Sequence, residues 1–167
     1  RASLLAPDVP FDLKGNILND LLKSTNENST EEMKQLVMDV ASVHPKEHTA
    51  QAFAGDVLFQ LNDKRSALDY YISSTKISPD NFSVWQNILS LESEFELWDD
   101  LIKHSDQAIE YFPNQAAFYY FGGTAYLKKE NYNRAVSLLE LGKRYAINKE
   151  LREAFDFQIT TAKKGLK

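Results

Sequence analysis

Pro45, Pro79 and Pro113 stand 34 residues apart, and each closes a stretch that reads as helix. Proline lacks the backbone N–H and its ring collides with the preceding turn, so three of them at a fixed interval punctuate the chain regularly. Between the first two lie Ala54-Gly55, then Ala67, then Tyr71: small residues followed by an aromatic at set offsets. A period of this length means a stack of short helical units, none of which can bury its apolar face alone.

The units can be followed in order. The first 13 residues form a lead-in with two prolines and the cluster Leu4-Leu5-Ala6, either the end of an earlier helix or a loose terminus. The spacing predicts a helix over residues 11–23, with Leu13, Ile17, Leu18, Leu21 and Leu22 on its apolar face. Ser29 and Glu32 read as a capping box, so a second helix begins near Thr30 and stops at His44-Pro45. That makes a divergent first repeat, 14–47. The second, 48–81, is the clearest, with a helix over 48–60, a turn at Asn62-Asp63 and a second helix ending before Pro79. The third spans 82–115 and the fourth 116–149, and the segment 150–167 reads as one further amphipathic helix bearing Leu151, Phe155, Ile159 and Ala162.

Composition narrows the function classes. With six glycines and five prolines in 167 residues, a loop-rich or β-rich fold is disfavoured. The net charge of −5 argues against nucleic acid as partner, which calls for a basic face. The absence of cysteine excludes disulfides and thiolate metal sites. No apolar run reaches the roughly 18 residues of a membrane span, so direct membrane insertion is not expected. A chain that begins Arg1-Ala2-Ser3 without an initiator methionine is expected to be a piece of a longer or processed protein.

These residues together carry a resemblance. Ala54, Gly55, Ala67, Tyr71 and Pro79, then Trp85, Ala108 and Pro113, then Gly123, Tyr126 and Ala135 fall in phase with the tetratricopeptide (TPR) repeat family, covering nearly all of the chain after Lys14. The resemblance implies an all-α fold: an α-solenoid, a right-handed superhelix of antiparallel helix pairs, here about four repeats and a final helix. The stretches from Pro79 to Trp85 and Phe112-Pro113-Asn114 also resemble large bacterial multi-repeat TPR proteins of the cell envelope, which makes a periplasmic-side location an expectation. Two departures stand out: at the small positions of the helix pair, repeat three has Leu89 and Leu101, and repeat one has Leu21 and Met33. Bulk there is expected to splay both pairs relative to repeat two.

No catalytic or metal signature competes with this. His44 and His48 have a metal-like spacing that Pro45 breaks, and all three histidines, His104 included, read as surface or helix-end residues. Asp99-Asp100, Glu31-Glu32 and Glu92 with Glu94 read as solvated carboxylates, and no P-loop, HExxH or GxSxG occurs. Two glycosylation sequons, at Asn28 and Asn81, are common chance matches. The expectation is a chain that is not an enzyme and needs no cofactor or metal.

What the TPR resemblance implies instead is a concave groove lined by the first helix of every repeat, binding a protein or peptide. Carrying the repeat register along the chain places Asp56, Phe59 and Gln60 there from repeat two. Gln86, Asn87, Ser90 and Glu94 come from repeat three, and Tyr120, Thr124 and Lys128 from repeat four. Phe59 and Tyr120 are the expected anchors, since exposed aromatics carry recognition. The carboxylate clamp of chaperone-binding TPR domains is not matched: its positions hold Leu18, Leu22, Asn87 and Ala117, leaving one asparagine. The competing expectation is structural, a spacer within a longer solenoid or a unit that self-associates through its terminal helices.

Overall fold

A computed structural model describes residues 2–166 and contains nine α-helices and no strand among them. In order they are α1 (Phe11–Lys23), α2 (Thr30–Ser42), α3 (His48–Gln60), α4 (Lys64–Ile77), α5 (Phe82–Glu94), α6 (Trp98–Tyr111), α7 (Ala116–Lys128), α8 (Tyr132–Lys143) and α9 (Lys149–Gly165). The chain divides after Val84 into two compact units. The expected all-α helical repeat array is what forms.

The period lies in the turns as well as in the prolines. Asn62, Glu96 and Glu130, again 34 apart, all adopt positive φ, at 61°, 57° and 58°. After each, a backbone N–H reaches back to the last turn of the preceding helix: Asp63 to Leu58 O at 2.8 Å, Leu97 to Glu92 O at 2.9 Å, Asn131 to Tyr126 O at 2.9 Å. This is the six-to-one bond of a Schellman motif, which satisfies helix-end carbonyls. Asparagine tolerates the left-handed conformation; the two glutamates carry a strain of about 1–2 kcal/mol each. Asp63 and Asn131 then cap α4 and α8 through the N–H groups of Ser66 and Arg134, at 3.2 and 3.3 Å.

In the first unit, α3 and α4 lie against each other along their length, because Gly55 admits the Tyr71 ring: a Cβ there would fall 2.7 Å from it. Repeat one is different. Of the apolar stripe expected on α1, Leu18 is fully buried, beside Phe11, Lys14 and Gly15, and Leu22 is half-buried. Leu13, Ile17 and Leu21 are 60%, 50% and 41% exposed. With Leu21 and Met33 at positions where repeat two has glycine and alanine, α1 and α2 touch sparsely, and a cleft of about 370 Å³ opens between them. The start of α2 is as expected, but its device is not. Asn26 and Ser29 form the capping box around a short 3-10 turn, and the Ser29 side chain makes no cap bond to α2.

Buried polar groups in this unit tie the repeats together. Lys14 Nζ donates to Ala6 O at 2.6 Å and to His44 Nε2 at 2.7 Å, while His44 Nδ1 lies 3.2 Å from Glu47 Oε2. With the ammonium donating to Nε2, the ring proton sits on Nδ1 and is given to Glu47. His44 is therefore a buried relay and not a surface residue. Gln51 Nε2 donates to Ala41 O and His44 O at 3.0 and 3.2 Å, satisfying carbonyls at the end of α2.

In the second unit the small-against-large contact recurs where Gly123 meets Leu139; a Cβ on Gly123 would fall 2.4 Å from that side chain. Repeat three inverts it. The register that sets Gly55 against Tyr71 and Gly123 against Leu139 sets Leu89 opposite Ser105, both fully buried. Bulk at Leu89 thus coincides with a small residue at Ser105. Two residues expected outside the core, the carboxylate Glu92 and the helix-end or surface residue His104, lie within it. Glu92 and His104 are buried, and His104 Nδ1 lies 2.5 Å from Glu92 Oε1. Glu92 does not sit on an exposed face because α5 turns it inward beside Ile88 and Leu89 to meet α6.

Candidate interaction surface

The residues expected to line a groove fall in both units. In the first, Asp56, Phe59 and Gln60 share an exposed face of α3. The Asp56 carboxylate accepts the Tyr71 hydroxyl at 2.7 Å, which commits one edge of it to the fold. Phe59 is 43% exposed, with Lys64 Nζ 5.8 Å from its ring centre.

In the second unit, Gln86, Ser90, Glu94 and Lys128 are exposed, whereas Asn87, Tyr120 and Thr124 are half-buried. The structure brings Thr124 and Lys128 of α7 together with Phe157, Gln158, Thr161 and Lys164 of α9 around a cleft of about 650 Å³. Gln86, Asn87 and Ser90 do not line it. The α9 residues lie outside the four repeats whose first helices were expected to line a groove. Carrying the 34-residue step once more, from Thr124, reaches Gln158 and the neighbouring Phe157.

The cleft is built by the way α9 is seated. Gly142 of α8 has no Cβ, and one placed there would fall 2.2 Å from Tyr119 Cβ and 3.0 Å from Phe155. That close approach lets Phe155 drop fully into the core formed by Tyr119, Ala135, Leu139 and Ile159. The next-but-one residue, Phe157, then faces outward and is 70% exposed. Tyr120 is different from the free anchor it was expected to be. Its ring stands edge-on to Phe155 at 5.3 Å, and its hydroxyl accepts from Gln158 Nε2 at 3.3 Å. It is a post that holds α9 in place, and Phe157 is the aromatic on offer.

The electrostatics of the cleft are mixed. Lys128 and Lys164 are at its edge, as is Glu130. Lys128 Nζ lies 5.6 Å from the centre of the Trp98 ring. Thr124 Oγ1 is buried without a hydrogen-bond partner. Away from the cleft, burial pushes the Glu92 carboxyl above the ordinary glutamate value, and the His104 hydrogen bond and charge pull it partly back. No group of three or more His, Cys, Asp or Glu side chains that could hold a metal ion occurs among the described residues. None of the described helices is long and apolar enough to cross a membrane.

Comparison with models of known protein families finds no match, and comparison with curated proteins finds none either. Solved structures do match. MamA (residues 41 to the end) from Desulfovibrio magneticus RS-1 superposes with a TM-score of 0.65 at 14% identity, over 91% of this chain and 90% of that one. YrrB, described as a TPR protein with an unusual peptide-binding site, gives 0.63 at 17% identity, over 86% and 71%. The TPR2B domain of yeast Sti1, solved in complex with pHsp70, gives 0.60 at 19% identity, over 70% and 96%. At these identities the likeness is one of fold, and it extends to bacterial and yeast proteins alike, so it does not single out the cell-envelope proteins.

Proposed function

We propose that this chain, whose fold is that of the tetratricopeptide repeats, is a non-catalytic protein-interaction scaffold that docks a peptide or protein segment between the first helices of successive repeats. The observation that carries this is the α7–α9 cleft, about 650 Å³ in volume, with Phe157 70% exposed at its wall. A large aromatic held out of the core by a rigid helix is the kind of side chain that dominates binding energy. Thr124, Tyr120 and Gln158 supply polar atoms around it. In the first unit, the face of α3 bearing Asp56, Phe59 and Gln60 is proposed as a contact surface in its own right. Gln86, Asn87 and Ser90 play that part on α5.

The test uses 12-residue peptides selected from a displayed random library on the purified protein. Truncating an aromatic hot spot costs about 2 kcal/mol, so selected peptides should bind Phe157→Ala ~30-fold more weakly. Because Phe157 makes no core contribution, the variant should keep its melting temperature. Unchanged affinity, or the failure of any peptide to be selected, would overturn docking at this cleft.

A second reading is favoured by one observation, the exposed stripe of Leu13, Ile17 and Leu21 along α1. Three apolar side chains on one helix face are what a repeat presents to its neighbour in a solenoid. If that stripe mediates self-association, light scattering should show a concentration-dependent dimer that Ile17→Glu returns to a monomer. A monomer at all concentrations would remove this role.

A further inference from the structure

Taking the docking role proposed above as its basis, we infer that the α7–α9 cleft selects an acidic segment: an apolar side chain against Phe157, flanked by carboxylates that meet Lys128 and Lys164. The lysines on and between α7, α8 and α9 divide into two kinds. Lys129 is paired with Asp99 at 3.0 Å, Lys163 with Glu140 at 2.7 Å and Lys149 with Glu153 at 3.5 Å, and Lys143 is paired with Asp156. Each of these four has its charge met within the protein. Lys128 and Lys164, which border the cleft, have no carboxylate partner among the described residues. The Lys128 ammonium instead lies 5.6 Å from the centre of the Trp98 ring, a cation–π contact that leaves its N–H donors unmet by any carboxylate and able to meet an anion.

The rest of the cleft fits an extended acidic strand. Thr124 lines it, and its Oγ1 is buried beneath that wall with no hydrogen-bond partner. Gln158 Nε2 is already engaged by Tyr120, so its side-chain carbonyl remains to accept a main-chain N–H. Glu130 is the one carboxylate among the residues bordering the cleft, which leaves two cations against one anion. In a chain of net charge −5 this is a locally positive edge on an acidic protein. Such an arrangement turns away most acidic ligands and admits those that place their charge at the cleft.

The same peptide selection tests this separately from the docking role. Enriched peptides should carry Asp or Glu within a few positions of an aromatic or aliphatic residue. Their Asn and Gln counterparts should bind ~5- to 10-fold more weakly, and that difference should shrink as salt rises from low to physiological strength and beyond. The double variant Lys128→Glu, Lys164→Glu, altered only at exposed positions, should enrich basic peptides instead. Peptides that depend on Phe157 yet are indifferent to carboxylate removal and to the lysine reversal would overturn the acidic preference and leave docking intact. Peptides that are indifferent to Phe157 as well would overturn both.

Discussion

Replacing His104 with alanine is expected to destabilise the second unit by about 1–3 kcal/mol, because it leaves the buried Glu92 carboxyl with no hydrogen-bond partner. The pair joins α5 to α6 with a 2.5 Å contact, and the second carboxylate oxygen, Oε2, already has no hydrogen-bond partner. The loss comes from the orphaned polar group and not from the worth of the pair, so replacing both members with apolar residues, Glu92→Met with His104→Leu, should recover most of it. Urea denaturation followed by far-UV circular dichroism measures both variants. An equal loss in the single and double variants would show that packing, not hydrogen bonding, holds this contact.

Glu92 also sets a pH dependence with a definite sign. A carboxyl held above its ordinary value keeps its proton in the folded state at a pH where the unfolded chain has released it. Stability then falls as pH rises from the ordinary glutamate value, about 4.3, through the raised folded one, and is level above it. Glu92→Gln cannot ionise, so that falling limb should be absent from its stability profile. Its amide can still bond to His104, which keeps the change local.

Replacing Phe155 with alanine is expected to cost a further class of stability, about 3–5 kcal/mol, through the cavity it leaves between α7, α8 and α9. Phe155 is fully buried and is the residue that seats α9. Without it, Tyr120 loses its edge-on partner and Gln158 its alignment with the Tyr120 hydroxyl. The wall of the cleft goes with them. Hydrogen exchange should show α9 opening ahead of α7 and α8, and peptide binding should be lost together with the fold of that helix. Phe157→Ala, two residues away, should lose binding alone. That contrast separates the residue that builds the surface from the one that is presented on it, and an undiminished melting temperature for Phe155→Ala would refute the account of how α9 is held.

Much of the fold was legible because it rests on features that repeat. Pro45, Pro79 and Pro113 mark helix exits, and the extents of α1 and α3 follow from their apolar spacing with no structure in hand. The small positions were readable too, since Gly55 and Gly123 stand where the paired helix packs too close for a Cβ. The candidate surface was less legible. Thr124 and Lys128 do reach the α7–α9 cleft, but Phe157 and Lys164 were not anticipated, and Tyr120 turned out to be engaged with α9. A register tells which residues share a helix face. It does not tell which of them a neighbouring helix covers.

By itself, then, the amino-acid sequence determined the period, the helix count and the all-α class, because these depend on local backbone chemistry and on regular spacing. Only the tertiary structure decided the side-chain fates that depend on partners far along the chain. Lys14 is buried because His44, 30 residues on, and the Ala6 carbonyl receive its protons. Glu92 is buried because His104 meets it from the next helix, while Leu13 and Ile17, apolar and well spaced, stay largely in solvent because nothing among the described residues covers them. Burial is a property of pairs of surfaces, and a single helix carries half of that information.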